Sequence, residues 1–169
     1  MPGLFNNVLM DGESLFSYPD SLDPEFLPKL LPHREEQQKY VAECIKPLMT
    51  GRTGRNLFIT GSPGIGKTAC VRRVLKDLEE ETDVPAVMVN CWKKNSSFKI
   101  LSEIAHELGF KFTMNMGTDE VMQKIVRMVG EKGIVLVFDE VDRAAEHDFL
   151  YHLLEDLPKK AVLLITNDT

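Results

Sequence analysis

The chain is short of cysteine, of basic charge and of long apolar runs, and each shortage excludes a class of protein. Its three cysteines, Cys44, Cys70 and Cys91, are too few and too scattered for a disulfide framework, and no C-x-x-C pair stands before a histidine cluster. Buried reduced thiols are therefore expected. His147 and His152 are five residues apart, the wrong offset to share a helix face closely, and His106 stands alone, so no histidine is given a metal role. No segment approaches the ~18 apolar residues that a membrane span needs, so no membrane partner is expected. The opening Met1-Pro2-Gly3-Leu4-Phe5-Asn6-Asn7 has neither a basic n-region nor a long apolar core, which predicts a cytoplasmic location, or a nuclear one in a eukaryote. With 20 Lys and Arg against 26 Asp and Glu the net charge is −6, so the broad basic footprint of a self-sufficient nucleic-acid binder is missing. Little DNA binding by this chain is expected.

What remains is the composition of an ordinary globular protein, 43% hydrophobic and 27% charged over 169 residues, enough for one domain with a real core. Five of its nine prolines fall within the first 32 residues, which predicts an extended, Pro-rich arm over residues 1–30 and a folded core over residues 31–169. From Arg34 to about Met49 apolar residues recur at helical spacing, with Pro47 expected to bend or end the last turn. Thereafter strand-like and helix-like segments alternate. Strands are predicted at Leu57 to Thr60, Ala86 to Cys91, Ile134 to Phe138 and Ala161 to Ile165. Helices are predicted at Lys67 to about Glu80, Ser97 to Leu108, Thr118 to Val129 with Thr118 as N-cap, and a segment striped by Phe149, Leu150, Leu153, Leu154 and Leu157 that closes at Pro158. The last two strands are unbroken apolar runs, as central strands covered on both faces should be. Alternation of this kind implies an α/β fold, a parallel sheet with right-handed crossovers and helices on both faces.

The segment Gly61-Ser62-Pro63-Gly64-Ile65-Gly66-Lys67-Thr68 fits G-x-x-x-x-G-K-[ST] without mismatch, after a predicted strand and opening a predicted helix. In that context glycines let backbone N–H groups turn inward around a phosphate, and the helix aims its positive end at the same anion. Lys67 adds a mobile positive charge for the β- and γ-phosphates, and Thr68 a hydroxyl ligand for Mg²⁺. Asp139 ends the apolar run Ile134 to Phe138, where a carboxylate can order the magnesium shell; Glu140 is the candidate general base for an attacking water. Asn167, after the last strand, could hold that water or the γ-phosphate, or be a turn asparagine, and Asn90 closes its strand in the same way. His33 and Arg34 precede the first helix, where an arginine plane could meet a base or simply be an exposed cation. Lys93 and Lys94 beside Trp92 are read as a solvated loop.

These residues resemble the archaeal initiators of the origin recognition complex / cell-division-control type, within the AAA+ ATPases. The resemblance is carried by Leu31-Pro32-His33-Arg34-Glu35-Glu36-Gln37, the loop from Gly61 to Thr68, Val89-Asn90-Cys91, Phe138-Asp139-Glu140-Val141-Asp142 and Ile165-Thr166-Asn167-Asp168, in the family's order and spacing. It runs from about Leu27 to Thr169.

The resemblance implies a P-loop NTPase of AAA+ type, a three-layer sandwich on a parallel sheet ordered 5-1-4-3-2. It implies ATP or ADP with Mg²⁺ as cofactors, adenine flanked by Pro32, His33 and Arg34, and phosphates held by Ser62, Pro63, Gly64, Ile65, Gly66, Lys67, Thr68 and Ala69. Thr68 and Asp139 would hold the metal, with Glu140 as base, Asn90 as a polar switch controlling it and Asn167 as sensor 1. Proteins of this family recognise replication origins and help recruit the replicative helicase, touching DNA through a C-terminal winged-helix domain and an insertion in the ATPase core. Against the family pattern this chain stops two residues after the sensor asparagine, so it is expected to be an ATPase core truncated before the fifth strand and lid. Weak or absent turnover is expected of it, along with an open sheet edge that invites dimerisation. The alternatives are an interaction module that regulates assembly of a full-length initiator, or an AAA+ ATPase of a transposition or signalling system.

Overall fold

The structure, a computed structural model, describes residues 33–167. The chain divides into two units, Met1–Leu31 and Pro32–Thr169. The expected arm over residues 1–30 and the expected adenine contact of Pro32 thus lie outside the described residues.

Helix α1 spans Glu35–Ile45 and passes into a 3-10 turn, Lys46–Thr50. Pro47 causes the change, because its ring cannot donate the next helical hydrogen bond. Strand β1 (Leu57–Ile59), helix α2 (Lys67–Glu81) and strand β2 (Ala86–Asn90) follow. Next come α3 (Ser97–Glu107), α4 (Thr118–Val129), β3 (Ile134–Asp139), α5 (Asp148–Asp156) and β4 (Lys160–Ile165). One boundary moves: Gly117, not Thr118, is the N-cap of α4, and its N–H donates to Glu120 Oε2 at 2.8 Å. Asp119 and Glu120 place acidic charge at the positive end of this helix, with the Glu120 carboxylate satisfying a backbone donor.

All four strands are parallel, in the order β1-β4-β3-β2. That order is the 1-4-3-2 part of the expected sequence of strands. In β3 every residue is buried because its two faces serve two cores. Ile134, Leu136 and Phe138 pack with residues of α3, α4 and α5, while Val135 and Val137 pack with residues of α1 and α2. Helices therefore cover both faces, giving three layers. Phe138 and Phe149 meet at 5.0 Å between ring centroids, tilted by 60°, within the first of these cores. Gly133 opens β3 at φ 80°, and a Cβ there would lie 2.8 Å from Leu48 Cδ2, so only glycine lets the chain enter the sheet at this point.

Among the described residues β1 pairs on one side only, with β4, and its central residue Phe58 is 60% exposed. No helix of the described residues is long and apolar enough to cross a membrane.

Candidate functional site

Parallel strands end on the same side of a sheet, so the residues that follow β1, β2, β3 and β4 gather at one edge. Between β1 and α2 the chain turns at three glycines with positive φ, Gly61 at 147°, Gly64 at 79° and Gly66 at 88°, and Gly66 caps α2. A side chain at Gly64 or Gly66 would be strained by backbone geometry alone, while the space around them is open. Ser62, Pro63, Gly64 and Ile65 are exposed, and Gly66 to Ala69 half-buried. The turn forms a concave surface at the positive end of a 15-residue helix.

Lys67 Nζ closes this cradle. It donates to Gly61 O at 2.7 Å, to Ser62 O at 2.9 Å and to Asn167 Oδ1 at 2.9 Å. The last contact joins residues 100 positions apart and brings the ends of β1 and β4 into one site. A phosphate placed in the loop would meet the same ammonium and displace some of these neutral acceptors with a charged one, the stronger partner.

Thr68 Oγ1 donates to Asp139 Oδ2 at 2.9 Å, and Asp139 Oδ1 accepts from the Glu140 N–H at 3.0 Å. Asp139 is 6% exposed, and burial raises its pKa; the Thr68 bond opposes that, the neighbouring Glu140 charge adds to it, and Arg72 lowers it. A buried carboxylate one hydrogen bond from a hydroxyl is an oxygen pair suited to a hard divalent cation with a water-rich shell, so the donor set fits Mg²⁺. Glu140 adopts φ 52°, uncommon for a non-glycine residue, and this turns its side chain out of the strand direction. Its Oε2 accepts from Asn90 Nδ2 at 3.0 Å, fifty positions away in sequence. Asn90 and Asp139 are register partners of β2 and β3, which is why an asparagine at one strand end reaches the residue after the other.

Beside the loop lies a cavity of about 590 Å³ whose wall includes Arg34, Gln37, Tyr40, Val41, Phe58 and Cys70. Arg34 Nη2 donates to Ile65 O at 2.7 Å, tying the start of α1 to the phosphate loop. The volume and the mix of aromatic and polar side chains suit a purine and its ribose. His33 is exposed at φ 62° and is not among the residues lining this cavity.

The structure brings Arg34, the residues from Ser62 to Ala69, Asn90, Asp139, Glu140 and Asn167 to one side of the sheet. Sequence reasoning missed the cavity walls contributed by Gln37, Tyr40, Phe58 and Cys70. Tyr40 and Cys70 carried only a helical-periodicity signal, and that does not distinguish the side of a helix facing a cavity from the side facing a core. It also missed Asp142, whose Oδ1 accepts from Thr166 Oγ1 at 2.9 Å, and Arg143, whose guanidinium lies over the Trp92 ring. Lys94, read as solvated, is paired with Glu103 at 2.9 Å and remains 41% exposed.

Residues 50–165 match the family described as AAA domain. The chain is 32% identical over 148 residues to ORC1-type DNA replication protein 1 of Archaeoglobus fulgidus, covering 83% of this chain and 36% of that protein. To the ORC1-type DNA replication protein 1 of Sulfurisphaera tokodaii it is 33% identical over 167 residues, 91% of this chain and 42% of that one. Among solved structures it is similar to the Aeropyrum pernix ORC1 protein in complex with DNA, with a TM-score of 0.75 and 28% identity over 86% of this chain and 41% of that one. The fold also resembles the Aeropyrum pernix ORC2 protein in its ADPNP-ADP complexes, with a TM-score of 0.76 and 20% identity over 92% of this chain and 46% of that one. The chain thus spans about two-fifths of the length of the curated relatives described here.

Proposed function

The chain belongs to the AAA domain family of P-loop ATPases, with ORC1-type DNA replication proteins as its relatives, and on that premise we propose that it binds ATP or ADP with Mg²⁺ as the ATPase core of a replication initiator. The single observation that carries this reading is the contact of Lys67 Nζ with Asn167 Oδ1 beside an already formed phosphate loop. That contact sets side by side the two residues that would act together on a terminal phosphate, one after β1 and one after β4.

In this reading the cavity walled by Arg34, Tyr40 and Phe58 takes the base, and the loop amides take the β-phosphate. Lys67 exchanges its carbonyl and amide partners for phosphate oxygens. Thr68 Oγ1 and Asp139 would hold Mg²⁺, which would supply neutralisation of phosphate charge. Glu140 accepts a proton from the attacking water once its carboxylate is free of Asn90, and the Asn167 amide orients the water or the γ-phosphate. Hydrolysis by this chain alone is slow, because an arginine finger supplied by a neighbouring subunit contributes roughly 10³–10⁵ to rate in related phosphoryl transfers. Origin DNA and the replicative helicase are partners of the full-length protein, a reading supported by the Aeropyrum pernix ORC1 protein having been solved with DNA.

The test is binding of a fluorescent ADP analogue, expected at micromolar strength or tighter in wild type and abolished in Lys67→Ala. Equal binding by both proteins would refute the reading.

A second reading, self-association or docking through β1, is favoured by Phe58, which is 60% exposed on a strand paired on one side only among the described residues. Light scattering at high concentration separates the two, since nucleotide binding does not require a dimer.

A further inference from the structure

Trp92 is the only tryptophan of the chain, and it stands 63% exposed on the turn after β2. The indole is held in place from outside, because the Arg143 guanidinium carbon lies 5.2 Å from its ring centroid, where a cation meets the negative face of the ring. Beneath the indole, the N–H groups of Trp92 and Lys93 donate to Asn90 Oδ1 at 3.0 and 3.1 Å. Two donors on one side of the amide require its oxygen there, so its nitrogen is what faces Glu140 Oε2, at 3.0 Å. The orientation of Asn90 is thus set by the Trp92–Lys93 turn, and Arg143 clasps that turn.

Arg143 is itself anchored to the other side of the site. Its N–H donates to Glu140 O at 2.9 Å, and its Nε lies 3.3 Å from Asp142 Oδ2. Asp142 Oδ1 accepts from Thr166 Oγ1 at 2.9 Å, and the next residue, Asn167, accepts from Lys67 Nζ. Contacts therefore run from the loop lysine through Asn167, Thr166, Asp142, Arg143, Trp92 and Asn90 to Glu140.

We propose that Trp92 and Arg143 form a clasp that positions Glu140 through Asn90, and that Thr166 and Asp142 link this clasp to the γ-phosphate position beside Lys67 and Asn167. The proposal rests on the nucleotide-binding reading above. Both clasp members are positioning residues. With the clasp closed, Glu140 commits Oε2 to Asn90 and is held from the water. A γ-phosphate competes with Asn167 for Lys67, shifts Asn167 and Thr166, and loosens Asp142 and Arg143; the Asn90 amide can then turn and release the carboxylate. A chain of contacts is not yet coupling, so the test measures coupling directly.

Because Trp92 is the sole indole, its emission reports the clasp. In the full chain, ATP and ADP should give different Trp92 emission, and Thr166→Val should make the two alike while leaving binding of the fluorescent ADP analogue within about twofold. Single-turnover hydrolysis should rise about 3- to 10-fold in Arg143→Gln with KM for ATP unchanged, return toward wild type in Arg143→Lys, and show no further effect of Arg143→Gln in an Asn90→Ala background. Identical ATP and ADP emission in a wild-type protein that binds both, or additive effects of the Arg143 and Asn90 changes, would overturn the clasp alone. Absence of nucleotide binding would overturn the proposed function and the clasp with it.

Discussion

Asp139→Asn is expected to make the ligand-free protein more stable and its nucleotide binding less dependent on Mg²⁺. The carboxylate is 6% exposed at the end of β3, and burial is the largest cause of its raised pKa, with the Glu140 charge acting in the same direction. An asparagine of the same shape keeps the acceptor at Oδ1 for the Glu140 N–H, and its Nδ2 can donate to Thr68 Oγ1, whose hydroxyl rotates. Both hydrogen bonds survive while a desolvated negative charge is removed; the attraction to Arg72 that is lost is weaker than the effect of burial. Relief of a functional site's built-in cost is worth about 1 kcal/mol, at the scale of other single stabilising substitutions. For a chain of this size that raises Tm by roughly 2–4 °C. Thermal unfolding followed by circular dichroism, without nucleotide or metal, reads the first effect; ADP affinity with and without Mg²⁺ reads the second. A lowered Tm in the variant would show that the Asp139 charge stabilises the apo fold, and undiminished Mg²⁺ dependence would remove Asp139 from the metal site.

The remaining predictions concern the core. Cys91 is fully buried, and burial, reinforced by the carboxylates of Asp139, Asp142 and Glu140, pushes its thiol from 9.0 up to about 12. Between those values the folded chain keeps a proton that the unfolded chain releases, so stability falls as pH rises above about 9, by up to ~1.4 kcal/mol per pH unit. Urea midpoints between pH 8.5 and 10.5 should show this slope, and Cys91→Ala should flatten it; parallel slopes would assign the loss to other groups. Phe138→Ala removes a fully buried ring packed on Phe149 and should cost about 3–5 kcal/mol in urea unfolding. A cost below about 1 kcal/mol would mean that the core between β3 and α5 refills the space.

Much of the site was legible because its residues sit at strand ends. Strand-helix alternation gave a parallel sheet, and a parallel sheet sends every strand end to the same edge, so the loop at residues 61–68, Asp139, Glu140 and Asn167 were foreseeable as neighbours. The N-cap of α4 was misplaced by one residue because Thr118 is the better capping side chain in isolation; the Glu120 bond to the Gly117 N–H satisfies the end without it. The cavity beside the loop was less legible. Tyr40, on α1, and Cys70, on α2, sit where helix and loop curve apart, and a periodicity of 3.6 residues says which side turns inward but not whether that side meets atoms or space.

The amino-acid order determined the identity of each element, the phosphate loop and the chemical types available at each strand end, because periodicity, glycine and proline act over a few residues. The family resemblance already paired Asn90 with Glu140, and strand-end placement put Asn167 near the loop; tertiary structure alone decided the atomic contacts, Lys67 Nζ with Asn167 Oδ1, Thr166 with Asp142, and Arg143 with Trp92. These contacts depend on strand register and on crossovers tens of residues long. A hydrogen bond of 3 Å is fixed by where two strands end relative to one another, a quantity that no local stretch of chain encodes.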